Sequence, residues 1–86
     1  MSTTRFDITP EDGWVQFADA GEDFTCELLR FGYAEVTVQD TTPDSNTPGH
    51  PLRAGTLLVR PGAGDAYARI SPDFPSTQVA LIVSTG

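Results

Sequence analysis

Few side chains in this sequence are of the kinds that carry out catalysis. His50 is the only histidine, and it lies between Gly49 and Pro51 in a polar stretch. A hydrolase triad normally needs a histidine as its general base, so the chain has a single candidate. The sequence shows no nucleophile paired with this base. We therefore interpret His50 as a surface loop residue or a contact residue, and we expect no enzymatic activity.

Two further stretches contain residue types that are found in ligand sites. Asp40, Asp44 and Asn46 place oxygen ligands in one stretch, but their spacing departs from the EF-hand pattern and no glutamate closes it. Gly62 and Gly64 lie in a glycine-rich turn that no Lys-Ser/Thr pair follows, so it does not match a phosphate-binding loop. We interpret both stretches as turns and expect neither a metal nor a cofactor.

The single cysteine, Cys26, has no intrachain disulfide partner. It shares one strand face with Phe24 and Leu28 in an alternating segment, which predicts a small buried hydrophobic residue. A lone thiol also suits a protein assembled in a reducing cytoplasm.

Three larger side chains are candidates for binding. Trp14 has the ring that stacks on sugars, although its neighbours Val15 and Phe17 favour packing in a core or a hairpin. Tyr67 and Arg69 alternate with small apolar residues, which predicts an outward pair of the type that anchors protein interfaces. The alternative is that Tyr67 packs inward and Arg69 pairs with an acid. If the pair is outward, Arg69→Ala should weaken binding without lowering the melting temperature.

Composition narrows the classes of partner. The 86 residues carry a net charge of −7, and all five basic residues are arginine. A chain without lysine lacks the usual phosphate-neutralising patch, so we expect no nucleic-acid partner. No apolar run approaches the length of a membrane span, and the N-terminus lacks a signal pattern, so we expect no membrane partner and synthesis in a cytoplasm.

The elements that must position these residues are short strands. Period-two alternation marks 34–38, 66–70 and 78–83, and further strands are expected at 13–18, 24–31 and 56–60. Residues 5–8 add a short edge strand. Six or seven strands at this spacing predict an all-β fold, a single antiparallel β-sandwich of jelly-roll or Ig-like character.

Connections and boundaries complete this prediction. We expect residues 1–86 to form one domain, with residues 1–7 either ordered or forming an N-terminal arm. The connections 20–23 and 31–33 have the length of hairpin turns. The sixteen-residue stretch 40–55 is predicted to be an irregular loop, either functional or a crossover between the sheets.

Three segments, Ile8–Trp14, Pro48–Gly55 and Gly64–Arg69, carry a resemblance to a known group of proteins. Together they resemble the small β-sandwich virion proteins of tailed bacteriophages, the capsid decoration or cement proteins and related head and neck components. The resemblance spans about residues 6 to 83. It implies a structural protein that oligomerises on an assembled capsid, with no enzyme activity and no cofactor.

The resulting hypothesis is a non-enzymatic virion protein, made in the host cytoplasm, that binds and reinforces the outer capsid surface. Its partners would be the major capsid protein and copies of itself. We expect the contacts to come from a strand face and the 40–55 stretch, through His50, Leu52, Arg53, Tyr67 and Arg69. Two alternatives are a neck or tail-associated component and a small carbohydrate-binding module that uses Trp14 or Tyr67 as its platform.

Overall fold

The computed structural model describes residues 2–29, 32–55, 57–60, 64–72 and 78–85. Strands make up most of these residues, and one short 3-10 turn spans Pro10–Asp12. No helix among the described residues is long and apolar enough to cross a membrane. The strands are β1 Ser2–Ile8, β2 Val15–Ala18, β3 Phe24–Leu29, β4 Tyr33–Gln39, β5 His50–Arg53, β6 Leu57–Arg60, β7 Asp65–Ile70 and β8 Val79–Thr85.

These eight strands form two antiparallel four-stranded sheets. The strand orders are β1-β8-β3-β6 and β2-β7-β4-β5. The predicted antiparallel β-sandwich is therefore confirmed, with eight strands in the described residues instead of six or seven. The order is that of a jelly roll, in which eight strands form two Greek keys, and the seven-stranded Ig-like alternative does not fit it.

The pairing shows how the chain is rolled up. The first four strands pair with the last four in reverse order: β1 with β8, β2 with β7, β3 with β6 and β4 with β5. The chain is thus one long hairpin whose tip is the β4–β5 connection. Rolling this hairpin adds two more pairings, β3 with β8 and β4 with β7, which complete the sheets.

Alternating small and branched side chains fill the space between the sheets. Leu28 and Leu81 are fully buried, and the Phe17 and Phe24 rings meet edge to face with their centroids 5.1 Å apart. The predicted inward faces of the strands at 34–38, 66–70 and 78–83 are confirmed. Their buried members are Ala34, Val36, Ala66, Ala68, Ile70, Val79, Leu81 and Val83, with Val38 half-buried against them.

Two predictions about connections were wrong, for the same reason. The short connections 20–23 and 31–33 do not close hairpins, because they join strands that lie in different sheets. Residues 30 and 31 lie outside the described residues. Chain length fits a hairpin and a crossover between packed sheets equally well, so length alone did not identify the partner strand.

The stretch 40–55 also differs from its prediction. Its last part forms β5, and the remainder connects β4 to β5 within one sheet instead of crossing between sheets. The sequence did not predict this strand because it contains Pro51. Proline is depleted in strands and is tolerated at the edges of sheets. At the other end of the chain, residues 2–8 are ordered as β1, which pairs with β8 along its whole length.

Candidate functional site

The outer face of the second sheet carries an arginine–glutamate pair. Arg69 of β7 and Glu35 of β4 are direct cross-strand partners. Arg69 Nε donates to Glu35 Oε1 at 2.9 Å, and Nη2 lies 2.8 Å from the same oxygen. Both side chains are only 14% exposed. Arg69 thus pairs with an acid, as the alternative interpretation held, and it is not a free surface cation.

The same guanidinium holds the connection between β4 and β5. Arg69 Nη1 donates to the carbonyl of Ser45 at 3.0 Å, and Nη2 donates to the carbonyl of Thr47 at 3.1 Å. Charge-assisted hydrogen bonds of this kind are stronger than neutral ones. One side chain therefore fixes the loop 40–49 against the face of the sheet.

The loop is also shaped from within. Asp44 Oδ1 accepts a hydrogen bond from the Asn46 backbone N–H at 2.8 Å and one from Thr47 Oγ1 at 3.2 Å. The Thr47 hydroxyl lies 3.0 Å from the Asp44 backbone N–H, which donates to it. These contacts are those of an Asx turn, in which the side chain substitutes for a backbone group. The predicted turn-forming role of Asp44 and Asn46 is confirmed.

Trp14 lies on the other side of the arginine. The Arg69 guanidinium carbon is 4.4 Å from the centroid of the Trp14 ring, in a cation–π arrangement. The indole N–H donates to the backbone carbonyl of Asp44 at 2.8 Å. Trp14 precedes β2, is half-buried and does not belong to the core cluster. Of the expectation that it packs in a core or a hairpin, the core part was therefore wrong, while its contact with Asp44 places it on the connection of the β4–β5 hairpin.

Gly49 lets these groups approach one another. A Cβ at this position would lie 2.7 Å from Glu35 Cβ and 3.0 Å from Trp14 Cη2. Any larger residue would have to push the glutamate or the ring aside. The loop, Trp14 and the Arg69–Glu35 pair thus form one packed unit, which we call the Trp14–Arg69 cluster: Trp14, Glu35, Asp44, Ser45, Thr47, Gly49 and Arg69.

A partly open cavity of about 450 Å³ lies beside this cluster. Its wall is mainly apolar, made of proline rings and the indole, with two serine residues among the polar groups. Because the Arg69 charge is matched by Glu35, the wall presents little net charge of its own. The lining residues are Pro10, Gly13, Trp14, Pro43, Ser45, Arg69, Ile70, Ser71 and Pro72.

The 3-10 turn aims Trp14 into this position. Thr9 caps the turn: Thr9 N donates to Asp12 Oδ2 at 2.9 Å, and Asp12 N donates to the Thr9 carbonyl at 3.1 Å. Gly13 then adopts a positive φ of 62°, a conformation that glycine allows without strain. This reversal delivers the indole to the edge of β2 with its ring against Arg69.

The other predicted contact residues lie in different environments. Leu52 is 3% exposed within the core, and Tyr67 is 5% exposed, so burial removes both from the accessible surface. His50 and Arg53 are exposed on edge strand β5. The structure therefore brings Arg69 together with Trp14, whereas Tyr67, two positions earlier on β7, is buried.

Cys26 has the environment predicted for it. The residue is fully buried, and burial raises the pKa of its thiol from 9.0 to about 12. The described residues contain no group of three or more His, Cys, Asp or Glu side chains arranged to hold a metal ion. The predicted turn around Gly62 lies largely outside the described residues, since 61–63 are not among them.

Sequence reasoning missed two members of this region. Glu35 has no predicted role, although alternation over 34–38 places it opposite Val36, and Pro43 is buried although it lies in a polar loop. Glu35 could have been found only by knowing that β4 lies beside β7, because the sequence separates the pair by 34 positions. The opposite charges on the two outward faces were the available signal.

Comparisons with protein-family models, with curated proteins and with solved structures gave no significant match.

Proposed function

We propose that this protein is a non-enzymatic structural protein of a phage virion that binds the outer surface of the capsid, as a decoration or cement protein does. The observation that carries this proposal is a convergence of the three segments that bear the resemblance. Trp14, Gly49 and Arg69 come one from each segment, and they meet in the Trp14–Arg69 cluster. The three sequence segments that resemble virion proteins thus each contribute a residue to one surface feature.

The fold and the charge are compatible with this role. Jelly rolls serve viral structural domains as well as lectin domains, so the fold alone does not discriminate between them. A net charge of −7 would keep the protein away from packaged nucleic acid. Synthesis in the host cytoplasm and attachment to the capsid exterior follow as parts of the proposal.

The proposed contact with the major capsid protein uses edge strand β5. His50 and Arg53 are exposed there, and Pro51 between them has no N–H to donate to a further strand. A partner would therefore meet side chains at this edge instead of extending the sheet. Arg53 offers a planar cation, of the kind enriched at protein interfaces, to an acidic or carbonyl-rich surface.

The first test is the copy number of this chain in purified particles from its source, measured by quantitative mass spectrometry against the major capsid protein. We expect hundreds of copies for a decoration protein. About a dozen copies would instead indicate a component of the neck or tail. Complete absence from the particles would overturn the virion proposal.

A second test addresses the β5 edge directly. The double variant His50→Ala and Arg53→Ala should reduce occupancy on stripped capsids and leave the melting temperature unchanged, because both side chains are exposed. Gln16→Ala is the matched control, since Gln16 is exposed on the opposite edge strand of the same sheet. Unchanged occupancy of the double variant would remove this edge from the proposal.

The cavity supports the carbohydrate-binding module as a second candidate. Trp14 lines an open, mainly apolar depression with two serine residues, a composition that suits the face and hydroxyls of a sugar. Tyr67 is removed as a platform because it is buried. Trp14 is the only tryptophan, so a glycan titration followed by its fluorescence tests this candidate directly. An unchanged emission spectrum across a glycan panel would argue against it.

A further inference from the structure

Strand β1 differs from the other edge strands. It is seven residues long, contains neither proline nor glycine, and pairs with β8 without a register shift. By contrast, β5 contains Pro51, and β6 has only four residues. Strand β2 also has four residues, and it has a register irregularity between Gln16 and Ala18. Among the described residues, no strand lies on the outer side of β1. A long, regular edge of this kind is a template for adding another strand.

The two faces of β1 carry different side chains. On the inner face, Ile8 is buried and Phe6 is half-buried against the core cluster at its margin. On the outer face, Arg5 and Asp7 lie two positions apart, and Arg5 Nε donates to Asp7 Oδ1 at 3.0 Å. Their side chains are 51% and 45% exposed, so both are accessible to a second molecule.

We propose that a second copy of this chain adds to this edge through its own β1, antiparallel, about a two-fold axis at Phe6. When two copies of a strand pair antiparallel about a two-fold axis, the residues that lie directly opposite each other are on the same face of the sheet. With the axis at Phe6, Arg5 lies opposite Asp7 of the second copy, and Asp7 lies opposite its Arg5. Phe6 then faces its own counterpart at the margin of the two cores.

The charges select this register over its neighbours. Moving the axis to Arg5 places the two Arg5 side chains opposite each other, and moving it to Asp7 opposes the two carboxylates. Like charges directly opposite on adjacent strands destabilise a sheet, whereas opposite charges stabilise it. The sequence of β1 is therefore self-complementary about Phe6, and the strand addition would join the two β1-containing sheets into one.

This inference deepens the self-association that forms part of the proposed function, but it concerns the purified chain and needs no capsid. The test is a set of charge reversals at exposed positions, followed by sedimentation over a range of concentrations. Arg5→Asp places Asp opposite Asp7, and Asp7→Arg places Arg opposite Arg5. We expect each variant to weaken self-association about tenfold, because both symmetric pairs turn from attractive to repulsive.

The decisive test uses combinations of variants that restore opposite charges across the interface. The double variant Arg5→Asp with Asp7→Arg should self-associate as the unmodified chain does. A mixture of the two single variants should form heterodimers, since every opposed pair then carries opposite charges. Melting temperatures show whether the variants fold. Hydrogen exchange should show added protection in the associated form at the β1 amides that do not bond to β8.

Three results would overturn the inference. One is an unmodified chain that remains monomeric up to its solubility limit. Another is self-association that Asp7→Arg leaves unchanged, which would place the interface elsewhere. The third is a failure of the double variant to recover. Loss of capsid occupancy with self-association intact would count against the proposed function and leave the β1 pairing standing.

Discussion

Arg69 and Glu35 face each other across neighbouring strands β7 and β4, and two nitrogens of the arginine, Nε and Nη2, reach one carboxylate oxygen at 2.9 and 2.8 Å. The Trp14 ring lies over the face of the guanidinium. The guanidinium also donates hydrogen bonds to two carbonyls of the loop. A single cross-strand pair thus supports the loop, the indole and the wall of the cavity. Its removal should affect all three.

Arg69→Ala should lower the free energy of unfolding by about 2–3 kcal/mol, because it leaves Glu35 poorly solvated and without its cation. For a domain of this size that corresponds to a fall of roughly 10–20 °C in the melting temperature. This reverses the expectation for an Arg69 that is free on the surface. Arg5→Ala is the control, since its ion pair is exposed and should contribute at most about 1 kcal/mol. Equal melting temperatures for the two variants would contradict the structural role of Arg69.

Gly49→Ala should destabilise the fold and displace the indole, since the new Cβ would lie 2.7 Å from Glu35 Cβ and 3.0 Å from Trp14 Cη2. Overpacking of this kind costs about 1–3 kcal/mol. Trp14 emission should change as well. Gly21→Ala is the control that separates the loss of stability from the change in emission. Gly21 has a positive φ but open space around it, so stability should fall while the Trp14 emission stays the same.

Asp44→Ala should loosen the loop by removing the oxygen that accepts from the Asn46 backbone and from the Thr47 hydroxyl. We expect a loss of about 1 kcal/mol and faster hydrogen exchange at the Asn46 and Thr47 amides. Asp44→Asn retains an accepting oxygen at the same place and should preserve most of the protection. Identical exchange in the alanine variant and the unmodified chain would show that the turn does not depend on this side chain.

The buried thiol should make stability depend on alkaline pH. The pKa of Cys26 is raised to about 12 in the folded chain, so the unfolded thiol ionises near pH 9 while the folded one stays protonated. The stabilisation is complete below pH 9 and is lost as the pH rises from 9 towards 12, by about 1.4 kcal/mol per pH unit.

The measurement is denaturant unfolding at pH 8 to 11 for the unmodified chain and for Cys26→Ala. The difference between the two chains isolates the contribution of the thiol to the pH dependence. We expect the two stability curves to converge as the pH increases. Parallel curves would show that Cys26 ionises equally well in the folded state.

The strands and their inner faces were predictable because alternation is a local property. Val36 is buried in the core while Glu35 next to it is half-buried on the outer face, as period-two patterning requires, and Leu81 is fully buried in the core. Cys26 followed from the same logic. Strand β5 was missed because Pro51 and the polar residues before it have the composition of a loop, and only pairing with β4 makes His50–Arg53 a strand.

Residue types and local patterning account for the all-β class, the inner faces of most strands, the absence of an internal disulfide partner for Cys26 and the acidic charge. Each of these depends on residue types or on neighbours within a few positions. Three features follow only from the three-dimensional arrangement: the jelly-roll order of the strands, the contact of Arg69 with Glu35 and Trp14, and the burial of Tyr67. These depend on which strands lie side by side. Strand neighbours are chosen by the packing of the whole chain, because many pairings satisfy the same alternation while one arrangement buries all the inner faces together.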